Sequence, residues 1–101
     1  MSSLSTQELL RSQARLPQHV VHRSFVAETV VLNLRTGKYH GLNQTAGRML
    51  EALETSATIG AVIPELAREY EVDESKIESD LTELCHELLA RELIEIGEPA
   101  G

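Results

Sequence analysis

Cysteine and aromatic residues are scarce in this chain. Cys85 is the only cysteine, Trp is absent, and Phe25, Tyr39 and Tyr70 are the whole aromatic set. A single cysteine excludes an internal disulfide and a cysteine-rich zinc site. A core with so few rings must be built from Leu, Ile, Val and Ala. Positive charge is also short: Lys38 and Lys76 are the only lysines, and the net charge is -7. Phosphate binding needs clustered Lys and Arg, whose neutralisation of the backbone supplies most non-specific affinity. A nucleic-acid role is therefore disfavoured. No apolar run approaches the ~20 residues that cross a bilayer, so no membrane partner is expected. Met1–Leu16 lacks the apolar stretch of a signal peptide, so the default expectation is a cytoplasmic location. With 101 residues the chain has room for one domain and one modest core.

What is present falls into a strand-rich half and a helical half. Residues 1–17 begin with a Ser/Thr cluster, and Leu4, Leu9, Leu10 and Leu16 could support a short helix over about Thr6–Arg15. With few apolar anchors, this segment is expected to be a flexible arm. His19–Leu42 is rich in β-branched residues, and Ala27-Glu28 is read as the first strand connection. In Leu34-Arg35-Thr36-Gly37-Lys38, Gly37 can close a three-residue hairpin loop. That loop pairs Leu34 with Lys38, Leu32 with His40 and Val30 with Leu42. One face then carries Val30, Leu32, Leu34, His40 and Leu42, and the other Val31, Asn33, Tyr39 and Gly41. The first is more apolar and is assigned to the core.

Asn43 is an N-cap for a helix over Gln44–Glu54. Thr58 can cap a second over Ile59–Glu69, in which Pro64 predicts a kink or a start at the proline itself. Asp73 opens the longest helix, Glu74–Arg91, whose Ile77, Leu81, Leu84 and Leu88 share one stripe. Leu93–Ile96 could be a short terminal strand, and residues 97–101 a tail. The order predicts an α+β domain over residues 18–96: a three-stranded antiparallel sheet followed by three helices, in a winged helix-turn-helix-like arrangement.

Side chains fit for catalysis do not form a constellation. Cys85 and His86 are helix neighbours about 100° apart, so neither can activate the other. None of His19, His22, His40 and His86 has the HxxxH spacing of paired helix ligands. Phosphate loop, GxGxxG and nucleophile elbow are all missing. No catalytic residue, metal or cofactor is predicted. A strand at Lys38–Leu42 ending on a helix cap offers another possibility. At a sheet edge, its outward N–H and C=O groups are a template for an added strand. In the predicted register those groups belong to Tyr39 and Gly41, while Lys38, His40 and Leu42 pair inward.

The run Val31 to Ala46, through Thr36-Gly37, Tyr39 and Leu42-Asn43-Gln44-Thr45-Ala46, resembles the hairpin-to-helix segment of PqqD-like proteins. Glu69–Asp73 and the Ile77 to Leu88 helix resemble that family's last two helices, and the likeness covers about Pro17–Ile96. The resemblance implies a non-catalytic recognition element for the leader of a ribosomally made, modified peptide. The leader would add a strand to Lys38, Tyr39, His40, Gly41 and Leu42, in the cleft against the last helix. Ile77, Asp80, Leu81 and Leu84 would supply the helix side, with Asp80 on its flank. The short stand-alone form is most similar to the recognition protein of lasso-peptide pathways. That resemblance implies as partners a separate cysteine protease that removes the leader and a cyclase. The related quinone-cofactor (PQQ) chaperone, which serves a radical enzyme, is the alternative; this chain lacks the Trp and the acidic-Gly turn associated with it. A winged-helix DNA-binding regulator is a further alternative. Glu74, Glu78, Asp80, Glu83 and Glu87 on the last helix, against Lys76 and Arg91, oppose it.

Overall fold

The computed structural model describes residues 5–98. Along the chain come α1 (Thr6–Arg11), β1 (Gln13–Arg15), β2 (Val20–Ser24), β3 (Glu28–Asn33) and β4 (Tyr39–Asn43). They are followed by α2 (Gln44–Thr55), α3 (Val62–Tyr70), α4 (Glu74–Ala90) and β5 (Glu95–Gly97). β2, β3 and β4 form an antiparallel sheet with β3 in the middle. α2 packs on β3 and β4, and α3 and α4 pack on α2 and on each other. This is the α+β, winged-helix-like order that the sequence predicts. The core joins Val20, Val31 and Leu42 from the sheet to Met49, Leu50 and Leu53 of α2, Leu66 of α3, and Leu81 and Leu88 of α4. Each such aliphatic side chain contributes about 1.5–3 kcal/mol by burial.

Two helix starts show how local chemistry sets the elements. Asn43 caps α2 as predicted, its side chain accepting from the Ala46 N–H at 2.8 Å. Asp73 occupies the cap position of α4 without a side-chain capping bond. The helix does not start at Pro64. The proline is the third residue of α3, within the first turn, where backbone N–H groups have no partner inside the helix and none is lost. Residues 58–61 form a preceding turn, held by Thr58 Oγ1 accepting from the Ala61 N–H at 3.2 Å.

The hairpin register differs from the prediction by one residue. Leu32 pairs with Tyr39, Val31 with His40, Val30 with Gly41 and Thr29 with Leu42. The buried face therefore carries Thr29, Val31 and Asn33, together with Leu42 and the half-buried His40, while Leu34 lies exposed. Val30, Leu32 and Leu34 are not the core face. The cause is Asn33. Its Oδ1 accepts from the N–H groups of Arg35 and Thr36 at 2.9 and 3.3 Å, and its carbonyl accepts from the Gly37 N–H at 2.8 Å. This lengthens the loop to Leu34–Gly37, with Gly37 at φ 75° as its left-handed residue. Thr29 tolerates burial because its hydroxyl meets Ser24 Oγ at 3.0 Å. Gly47 of α2 lies so close that a Cβ there would overlap the Thr29 hydroxyl.

The segment expected to be a flexible arm carries α1 and β1 in this structure. A capping box links Ser5 and Glu8, and Leu9 is fully buried. The predicted helix over Thr6–Arg15 stops at Arg11, and Gln13–Arg15 pairs instead with Glu95–Gly97. Met1–Leu4 and Pro99–Gly101, parts of the predicted arm and tail, lie outside the described residues.

Candidate functional site

β4 is an edge strand: among the described residues nothing pairs with its outer side. The Asn33 N–H donates to the Lys38 carbonyl at 2.9 Å. Antiparallel pairs alternate between bonded and non-bonded, so His40 and Leu42 bond inward and Tyr39 and Gly41 present their N–H and C=O groups outward. The predicted outward pair thus survives the register error, because the slip falls on β3 and leaves Lys38 an inward residue. Tyr39 is 74% exposed. At Gly41 the space for a Cβ is bounded only by the flexible Glu28 carboxylate, 3.4 Å away.

Beside this edge runs a groove against α4. Its larger part, about 410 Å³, is lined by Asn43, Thr45, Ala46 and Met49 on one side and Asp80, Glu83, Leu84 and Glu87 on the other. A second part, about 280 Å³, lies between Lys38, Tyr39 and His40 and the C-terminal end of α4 at Ala90 and Arg91. Between them His40 reaches across the groove, its Nε2 2.9 Å from Glu87 Oε1. The floor is apolar at Ala46, Met49 and Leu84, and the α4 wall is acidic. Asp80 is held by Lys76, whose Nζ lies 3.2 Å from Asp80 Oδ2. The pair is partly exposed, worth about 0–1 kcal/mol.

Of the residues predicted for the site, Lys38, Tyr39, His40, Asp80 and Leu84 line this groove, and Gly41 sits on its strand edge. Leu42, Ile77 and Leu81 are core residues, each no more than 4% exposed. Sequence reasoning missed Thr45, Ala46 and Met49, which follow the β4 cap on α2, and Glu83 and Glu87. The two glutamates were findable: they fall three and seven residues after Asp80, on the same helical face.

Catalytic groups do not converge here. Cys85 is fully buried, and burial pushes its thiol up to about 12, so a thiolate nucleophile is unavailable at neutral pH. Among the described residues no group of three or more His, Cys, Asp or Glu side chains could hold a metal ion. No described helix is long and apolar enough to cross a membrane.

Comparison with known proteins agrees with this geometry. No curated protein matches the chain. Two solved structures match it closely. One is TbiB1 in complex with the TbiA(beta) leader peptide, at 31% identity and TM-score 0.73, covering 80% of this chain and 94% of that one. The other is a lasso peptide synthetase B1 complexed with the leader peptide, at 26% identity and TM-score 0.74, covering 82% and 98%. The family model for coenzyme PQQ synthesis protein D matches residues 28–94, from β3 through the end of α4. With two thirds of its length under that model, and with the edge strand and groove in place, the chain belongs to the PqqD family.

Proposed function

We propose that this chain is a non-catalytic recognition protein that captures the leader of a ribosomal precursor peptide and delivers it to a separate leader peptidase of the cysteine-protease type, ahead of a cyclase. The observation that carries the reading is the free β4 edge, with the outward groups of Tyr39 and Gly41 standing beside an apolar-floored groove. An extended peptide added there gains main-chain hydrogen bonds from the edge, and pockets for alternate side chains set its specificity. Residues 18–96 form the peptide-binding unit in this reading, with Lys38, Tyr39, His40, Gly41 and Leu42 as the receiving strand. Asp80 and Leu84 meet the leader from α4, while Ile77 and Leu81 act from below by holding that helix in place. Both solved relatives are complexes with leader peptides, and one of them is a lasso peptide synthetase B1, which supports the lasso-type reading over the PQQ-type one.

A labelled leader peptide, a scrambled leader and duplex DNA titrated side by side test this directly. The leader is expected to bind about as tightly as the whole precursor, with the scrambled peptide and the DNA at least tenfold weaker. Equal binding of leader and scrambled peptide contradicts the reading. The acidic groove wall of α4 argues against DNA, since phosphates would meet Asp80, Glu83 and Glu87.

A further inference from the structure

The groove beside β4 is not continuous. His40 enters it from the strand, and its Nε2 lies 2.9 Å from Glu87 Oε1 on the facing helix. The same Glu87 oxygen lies 3.7 Å from Arg91 Nε, so the carboxylate is held from the strand and from its own helix. The His40 backbone pairs with Val31 on the inner side of β4, which fixes where its side chain leaves the strand. The two side chains form a bar across the groove. The cavity of about 410 Å³ lies on one side of it and the cavity of about 280 Å³ on the other.

Strand parity decides what meets the bar. Side chains alternate along a strand, and those at the same level of neighbouring strands share a face. On β4 the groove side carries the half-buried His40 and the buried Leu42, and Lys38 lines the smaller cavity. A guest strand on the outer edge therefore turns every second residue into the groove, at intervals of about 6.5 Å. The guest residue beside Leu42 reaches the larger cavity, floored by Ala46, Met49 and Leu84. The one beside Lys38 reaches the smaller cavity, lined by Tyr39 and Leu93 among others. The residue between them, beside His40, meets the bar.

We infer that His40 and Glu87 are specificity-determining residues that impose a size rule on the leader. Its groove-facing residues run large, small, large at positions i, i+2 and i+4, and the small one, Gly, Ala or Ser, sits at the bar. This rests on the function proposed above and narrows its substrate class. The rule acts by exclusion. A large side chain in the middle must push His40 off Glu87 and leave both without their partner, whereas a small one leaves the bar in place. The two intervening residues face the outer side of the sheet, where Tyr39 is exposed, and carry no such limit. Because the pattern is symmetric, it holds for either direction of the guest chain.

The test titrates the full chain with synthetic leader peptides in which each residue is replaced in turn by Ala and by Phe. Expected is one position where Phe lowers affinity at least tenfold and Ala leaves it within twofold. Two residues before and two after it, Ala should cost at least fivefold, while its immediate neighbours tolerate both replacements. The same peptides are then titrated against His40→Ala and Glu87→Ala, with thermal melts to check folding. In each variant the Phe penalty at the middle position, taken relative to the unmodified leader, should fall below threefold. A purely structural role would weaken all peptides alike and leave that ratio unchanged. Glu87 is on the surface, its side chain 44% exposed, so Glu87→Ala remains informative if His40→Ala unfolds. A tenfold penalty that persists in folded Glu87→Ala overturns the assignment. So does a wild-type scan with no small-only position, which would mean that the bar opens when leader binds. Failure of the wild-type chain to bind the unmodified leader would refute the proposed function, whereas normal leader binding without the size pattern would refute this inference alone.

Discussion

Among the described residues the sheet has two free edges, β2 and β4, and each carries a histidine bridged to a helix glutamate. On β2, His22 Nε2 lies 2.6 Å from Glu54 Oε1 of α2; on β4, His40 Nε2 lies 2.9 Å from Glu87 Oε1 of α4. The surroundings of the two pairs differ. The His40–Glu87 bridge has a cavity on either side, one lined by Glu87 and the other by His40. At the far end of β2 lies a pocket of about 160 Å³, lined by Ser24 and Phe25 with Gly47 and Arg48 of α2. A free edge supplies hydrogen-bonding groups, but only an edge beside a groove can also read side chains. The comparison predicts that leader binding is confined to β4.

Proline substitution at matched outward positions should give the largest effect. Gly41→Pro removes one outward donor, worth about 0.5–1.5 kcal/mol net, and adds a ring at the closest approach of a guest strand. Leader affinity is expected to fall well over tenfold in a folded protein. Ser24→Pro, at an outward position on β2, should leave affinity within twofold. His40→Pro removes an inward ladder bond and should lower the melting temperature before any binding is measured. Normal leader binding by a folded Gly41→Pro variant would exclude strand addition here.

The helix partners give a smaller contrast. Asp80→Ala is expected to weaken leader binding several-fold with little change in melting temperature, because its Lys76 pair is on the surface. Glu54→Ala, which removes the partner of His22 on the other edge, should leave leader affinity unchanged. Unaltered affinity in Asp80→Ala would remove that side chain from the groove and shift attention to Glu83 and Glu87.

Cys85 gives the smallest expected effect on binding. Cys85→Ser places a hydroxyl in the core and should cost about 1–3 kcal/mol of stability, with leader affinity intact once the protein is folded. Burial raises the thiol from its ordinary value of 9.0 to about 12. Its contribution to stability is therefore fully present below pH 9 and is lost as the pH rises toward 12. Melts across that range should show a shallower decline in Cys85→Ala than in wild type. An equal decline would mean that the thiol is not shielded.

Much of this was legible from local pattern. The Asn43 cap, the hairpin around Gly37 and the α4 stripe follow from neighbouring residues, and the structure reproduces them. The parity of β4 was also legible, because it depends on which residue closes the loop and not on which strand face is more apolar. The register was not. Hydrophobicity favoured Val30, Leu32 and Leu34 for the core, but Asn33 satisfies its own loop and Thr29 bonds Ser24, so polar residues occupy buried positions at little cost. Sequence offered no sign that Leu9 would be buried or that Gln13–Arg15 would pair with Glu95–Gly97, since both depend on contacts between distant parts of the chain. The groove was half legible: its strand and the Asp80 flank could be placed, but the α2 wall required the tertiary structure.

Amide hydrogen exchange with and without leader tests the central claim most directly, because it reads single backbone groups. If the leader adds a strand to β4, the amides of Tyr39 and Gly41, open in the free protein, become protected. Those of Val20, His22 and Ser24 on the opposite edge are unaffected, and those of His40 and Leu42, already bonded to β3, change little. New protection on β2, or tight leader binding with Tyr39 and Gly41 still exchanging freely, would contradict the account.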